Sequence, residues 1–116
     1  MSSKVLSITN SKEYEAFKKT HTRGIIFYGA SWCHACSEIE PLYTRIANRY
    51  HKRITLAHVD IDECKLDFER IPVFVGYYEG KELANMEGAD SGGLKQLIKE
   101  IIEYKKRKDD ILTIVK

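Results

Sequence analysis

Two cysteines, Cys33 and Cys36, lie three residues apart in the run Trp32-Cys33-His34-Ala35-Cys36. A dithiol at that spacing can cycle with a disulfide. Three residues are close to one helical turn, so both sulfurs can face one side, at a Cα separation that suits a bond between them. The pair stands where an apolar run, residues 25–30, gives way to helically spaced residues. Cys33 then takes the N-terminal end of the helix, where unpaired amide N–H groups and the helix dipole favour a thiolate. Cys36 sits one turn in, more buried and with a higher thiol pKa. That asymmetry makes an exchange device: Cys33 attacks a substrate disulfide, and Cys36 then attacks Cys33 and releases the reduced substrate. The competing chemistry is half of a zinc site. Zinc needs two more ligands. Cys64, His51 and His58 are available, but no second C-x-x-C or H-x-H spacing exists, and the reading is of no metal.

The elements that must position the dithiol follow from periodicity. Residues 4–9 alternate apolar and polar and read as a short strand. Asn10 followed by Glu13 is a capping-box-like start for a helix to about Thr20, with Tyr14 and Phe17 on one face. The run 25–30 is too short for a globular helix and apolar throughout, the mark of a central parallel strand. Residues 33–50 have helical spacing (Ile39, Leu42, Tyr43, Ile46, Tyr50), with Pro41 expected to kink the helix. Residues 54–61 form a third strand, and 63–70 one or two helical turns. Residues 73–78 and 81–87 form a hairpin about a Glu79-Gly80 turn, ended by Gly88. Ser91 caps a last helix whose apolar face is Leu94, Leu97, Ile98, Ile101 and Ile102. Strands separated by helices imply right-handed parallel crossovers, and the hairpin adds antiparallel strands.

The chain has 116 residues, which argues for one domain. With 43% apolar and 31% charged residues, disorder and fibrous classes are excluded. No apolar run reaches the roughly 18 residues of a membrane span, and the N-terminal residues carry no secretory signature, so the expected setting is reducing and cytoplasmic. A net charge of +2 gives no argument for nucleic acid. That charge is uneven: residues 105–116 hold five Lys/Arg against two Asp/Glu, and the rest is near neutral. The expected organisation is a domain over 1–104 and a basic extension over 105–116. The run Lys105-Lys106-Arg107-Lys108 complements a helix C-terminus. The apolar stretch 111–115 packs back, pairs with another chain or stays loose; the sequence leaves this open.

The stretch from Ile25 through Cys36, followed by Pro41, resembles the thioredoxin family, as do Val59-Asp60-Ile61-Asp62, Ile71-Pro72-Val73-Phe74, the Glu79-Gly80 turn and Gly88-Ala89. The likeness covers roughly residues 4–102. It implies an α/β thioredoxin fold, a central mixed sheet of about five strands flanked by helices. It implies that Cys33 is the nucleophile and Cys36 the resolving thiol. Pro72 resembles the cis-proline of the loop facing the dithiol. Trp32, Ile71, Pro72, Gly88 and Ala89 resemble the apolar rim on which an extended substrate segment lies. The implied activity is thiol–disulfide exchange on protein disulfides, with no bound cofactor, since the dithiol carries the electrons. The implied electron donor is a thioredoxin-reductase-like flavoenzyme, and neither nucleic acid nor a membrane is a partner.

Three departures bear on the chemistry. His34-Ala35 replaces the Gly-Pro usual between the cysteines, and a histidine there resembles the oxidising relatives, protein disulfide isomerase among them. A charged or hydrogen-bonding His34 stabilises the Cys33 thiolate and makes the disulfide a stronger oxidant. Each pKa unit is worth about 1.4 kcal/mol, or about 30 mV. The expectation is a potential above the roughly −270 mV of thioredoxin; the bland alternative is a solvated loop histidine. Phe27 stands where the family usually has a buried aspartate behind the second cysteine, and His58 where it often has the lysine paired with that aspartate. His58 or water then takes the Cys36 proton, or His58 is simply a satisfied sheet histidine. Gly29 replaces a frequent aromatic or small residue, and the stretch from Asp62 to Ile71 is several residues short. Cys64, beside Asp60, Asp62 and Glu63, reads as inert.

The reading is of a thioredoxin-type reductant. The alternatives are an isomerase or oxidase, favoured by His34, and a redox-inactive binding module.

Overall fold

The structure, a computed structural model, describes residues 3–105. Expectations for the rest of the basic extension lie outside the described residues. The elements run β1 (Leu6–Ile8), α1 (Ser11–Thr20), β2 (Arg23–Gly29), α2 (His34–Tyr50), β3 (Thr55–Asp60), β4 (Val73–Tyr78), β5 (Lys81–Glu87) and α3 (Ser91–Glu103). They form one five-stranded mixed sheet in the order β1-β3-β2-β4-β5.

β2 lies at the centre and is buried from Gly24 onward. It pairs parallel with β3 but antiparallel with β4. The expectation of a central parallel strand therefore holds on one side only, because apolarity reports burial and not the direction of a neighbour. The hairpin expectation matches β4 and β5 residue for residue. Glu79 and Gly80 both have positive φ, 50° and 82°, as a two-residue turn matching the twist of the strands requires.

One face of the sheet carries Ile25, Phe27, Phe74 and Gly76, against α2 and α3. Tyr43 of α2 stands edge-on to Phe27, centroids 5.2 Å apart. Its buried hydroxyl donates to the carbonyls of Ile25 (3.1 Å) and Ala57 (2.7 Å). The Gly76 position is filled by Ile101 of α3. α2 runs on through Pro41.

On the other face α1 lays Phe17 over Gly24. The Asn10 side chain caps α1 by accepting from the Glu13 N–H at 2.9 Å. The reciprocal arm differs from a strict capping box, since Glu13 accepts from the Thr9 backbone N–H and hydroxyl, each at 3.0 Å. Of the one or two helical turns expected over 63–70, residues 61–65 make hydrogen-bonded turns, with the Cys64 N–H donating to the Asp60 carbonyl at 3.1 Å, and the next six have no regular structure. Asp60 Oδ1 caps that turn by accepting from the amides of Asp62 and Glu63, and the turn stops at Lys65, whose φ is 55°. In place of a helix, Phe68 from this loop stacks on Tyr28, centroids 4.6 Å apart. The Tyr28 hydroxyl is linked to those of Tyr14 (2.7 Å) and Tyr77 (3.2 Å).

α3 is capped by Asp90, one residue before the expected Ser91; its side chain accepts from the N–H groups of Gly92 and Gly93. Leu94, Leu97, Ile98 and Ile101 are buried, as the spacing predicted, and Ile102 is partly so. Arg23 ties the end of α3 to β2 by donating to the carbonyls of Ile101 and Tyr104.

Candidate functional site

The dithiol sits where β2 hands over to α2. The chain turns through Ala30 and Ser31, and the Cys33 N–H donates back to the Ala30 carbonyl at 3.2 Å. Cys33 is the N-cap of α2, and its sulfur accepts the Cys36 N–H at 3.1 Å. An amide donor and the helix N-terminus thus converge on one sulfur, which favours the thiolate when the pair is reduced. Cys33 and Cys36 form a disulfide with Cα atoms 5.2 Å apart. Both are buried, at 8% and 4% exposure, so the attacking sulfur has only a narrow outlet and Cys36 less still.

That outlet opens into a groove of about 640 Å³. Trp32, Cys33 and His34 form one wall, Phe68, Glu69, Arg70 and Ile71 the other, with Glu87 and Gly88 at the end. Trp32 is 66% exposed, which rules out core packing as its role. Its indole N–H donates to Asp62 Oδ2 at 2.8 Å, which fixes the ring beside the groove. The Ile71–Pro72 peptide is cis. Pro72 is itself buried, and its carbonyl accepts the Gly88 N–H at 2.8 Å. Of the sequence-derived rim, Trp32, Ile71 and Gly88 line the groove directly. Pro72 lies beneath it and exposed Ala89 just beyond it. Phe68, Glu69, Arg70 and Glu87 also line it and were not singled out from sequence. Only their nearness to Ile71 and Gly88 could have pointed to them.

His34 is 90% exposed and turned along α2, with Nε2 3.4 Å from Glu38. Ala35 is half-buried on the first turn. His58 lies on β3 in register with Phe27, their rings edge-on at 4.8 Å. Burial pushes its pKa below the ordinary imidazole value, and Glu40, Asp60 and Glu63 oppose that shift. Phe27 is wholly buried, packed on Phe74 as well as Tyr43. Cys64 is buried with its sulfur toward the Ile8 carbonyl, and its thiol is pushed up by burial and by Glu63 and Asp60. Among the described residues no three His, Cys, Asp or Glu side chains converge as a metal site, and no helix is long and apolar enough to cross a membrane.

Comparison with known proteins agrees with this geometry. The thioredoxin family model matches residues 4–100. A putative thioredoxin-5 of Dictyostelium discoideum is 30% identical over 99 residues, 80% of this chain and 94% of that protein. The TPR repeat-containing thioredoxin TDX of Arabidopsis thaliana is 33% identical over 103 residues, 81% of this chain but 27% of that longer protein. The solved Plasmodium falciparum thioredoxin superposes with a TM-score of 0.77 at 29% identity, covering 83% of this chain and 98% of that one. By its matched length, its sheet order and its disulfide at the head of α2, this chain belongs to the thioredoxin family and is a thiol–disulfide oxidoreductase of thioredoxin type.

Proposed function

We propose that the protein works chiefly as a reductant of protein disulfides, with Cys33 as nucleophile and Cys36 as resolving thiol. One observation carries the roles: the Cys33 sulfur caps α2 and faces the groove between Trp32 and Ile71. An extended substrate segment lies in that groove against Trp32, Ile71 and Gly88, with Pro72 and Ala89 shaping its floor and far end. The direction of exchange rests on His34. Its imidazole is solvated and turned to Glu38, so its charge is screened and partly neutralised before it acts on Cys33. That favours a reducing potential over the oxidising one a histidine at this place would otherwise confer. No bound cofactor takes part, because the dithiol holds the two electrons. A thioredoxin-reductase-like flavoenzyme resupplies them, and a cytoplasmic setting provides the reducing pool such a cycle needs. Neither nucleic acid nor a membrane enters this cycle.

The test is a redox titration against defined thiol/disulfide ratios, counting free Cys33 and Cys36 by mass after quenching. A two-electron midpoint near or below about −240 mV is expected for the reductant. A midpoint near about −180 mV would move the reading to an oxidase or isomerase with His34 active in tuning. If no reversible Cys33–Cys36 disulfide forms at any ratio, the protein is a binding module, the reading that the loss of an acid at Phe27 favours. A Cys36→Ser variant is expected to accumulate disulfide-linked partners through Cys33.

A further inference from the structure

Gly29 marks a point where three side chains meet. A methyl group added there would lie 3.1 Å from Cys36 Sγ, 3.1 Å from Phe27 Cε1 and 3.2 Å from His58 Nε2. The sulfur of the resolving cysteine and the ring nitrogen of His58 are therefore no farther apart than those two radii together, and no side chain of Gly29 stands between them. Among the described residues Phe27 offers no carboxylate here, and no hydrogen bond ties up either nitrogen of His58. We propose that His58 is the base that takes the Cys36 proton when the mixed disulfide is resolved, across the gap that Gly29 leaves open. This rests on the dithiol exchange proposed above and names the group that serves it.

The step balances as follows. Cys36 begins as a thiol beside a Cys33–substrate disulfide. Its proton passes to His58 Nε2, directly or across one water, and the S–H electron pair becomes a thiolate pair. The thiolate attacks Cys33 Sγ, the Cys33–Cys36 bond forms and the Cys33–substrate bond breaks. The pair of the broken bond leaves on the substrate sulfur, which takes a proton back from the imidazolium. The two cysteines are oxidised and the substrate disulfide is reduced by two electrons. The surroundings suit the role. His58 is partly buried against Phe27, which keeps the imidazole neutral at neutral pH. Glu40 of α2, Asp60 of its own strand and Glu63 of the following turn stabilise the transient imidazolium. The neighbour on β1, Ser7, is uncharged.

The test separates the two chemical steps. Reduced protein is mixed with one equivalent of Ellman's disulfide, and release of thionitrobenzoate is followed by stopped-flow absorbance. The first equivalent reports attack by Cys33, the second resolution by Cys36. His58→Gln is expected to leave the first phase within about twofold and to slow the second about tenfold or more at pH 7. Its second phase should keep rising with hydroxide up to pH 9, where the unmodified protein has levelled off. Gly29→Ala keeps both groups and sets a methyl 3.1 Å from the sulfur and 3.2 Å from the nitrogen, so that one or both must give way; it is expected to slow the second phase at least severalfold. A second phase of unchanged rate and pH profile in either folded variant would overturn the assignment and leave the exchange reading standing. If the unmodified protein releases only one equivalent, the exchange reading itself falls, and this role with it.

Discussion

Restoring a carboxylate at Phe27 is the sharpest probe of how this core differs from its relatives. Phe27 is fully buried, with ring centroids 4.7 Å from Phe74, 4.8 Å from His58 and 5.2 Å from Tyr43. Phe27→Ala loses those contacts and leaves a cavity, at a cost of about 3–5 kcal/mol. Phe27→Asp loses the same contacts and adds an acid among aromatic rings. Burial raises the folded pKa of that acid above its unfolded value of about 3.9. The sign follows: below the unfolded pKa the two variants differ little. As pH rises the aspartate variant falls behind by about 1.4 kcal/mol per unit until pH reaches the folded pKa. A shift of about two units makes the deficit about 3 kcal/mol at pH 7. The total loss of about 6–8 kcal/mol approaches the whole stability of a typical domain, about 5–15 kcal/mol. Urea denaturation of all three proteins at pH 4 and pH 7, followed by far-UV circular dichroism, measures it. A gap between the alanine and aspartate variants that stays flat or narrows with pH refutes the reasoning. It would mean that the carboxylate finds a charged partner in the folded state, and His58 is the group placed to be one.

Gly76→Ala would bring a methyl within 2.5 Å of Ile101 Cδ1, so the Ile101 side chain must move; the expected cost is about 1–3 kcal/mol by denaturant titration. Tyr43→Phe removes the hydroxyl that joins the carbonyls of β2 and β3, and a loss of about 1 kcal/mol is expected from the same measurement. Asn10→Ala removes the cap of α1 and should cost about 1 kcal/mol in thermal or urea unfolding. Glu13 is held below its ordinary pKa by the Thr9 backbone and hydroxyl. Its contribution is present above the unfolded value of about 4.3 and lost as pH falls through the lower folded pKa. Glu13→Gln should therefore flatten the acid side of the stability–pH curve, and an unchanged acid side would contradict this.

The elements whose ends carry specific local chemistry were legible in the sequence. Asn10 caps α1 and the Glu79-Gly80 turn fixes the hairpin register, and both bind or bend through their own side chains or φ angles. At α3 the sequence reading named Ser91 alone, whereas Asp90 precedes it and takes the amides first. The segment after β3 has helical composition, yet its turn stops at Lys65, whose φ is 55°. A positive φ at a residue other than glycine is not encoded by spacing. The dithiol was readable because its chemistry needs only two residues one turn apart and a helix start. The pairing of His58 with Cys36 was reached only through the family resemblance, because it depends on the parallel register of β2 with β3, which sets His58 beside Phe27. The second wall of the groove was hidden, since Phe68, Glu69 and Arg70 carry no motif and reach the dithiol only through the path of the chain.

The two walls of that groove have different freedom to change. Trp32, Cys33 and His34 stand at the start of α2, whose N-terminus holds the reacting sulfur. Phe68, Glu69 and Arg70 stand on a loop without regular structure, and loops accept substitution and changes of length more readily than strands and helices do. Only Phe68 is tied inward, by its stacking on Tyr28. With substrate held in this groove as proposed, its preference can drift over generations by change at Glu69 and Arg70, while the reactive wall stays as it is. Within such a lineage, divergence in clientele is expected to precede any divergence in chemistry.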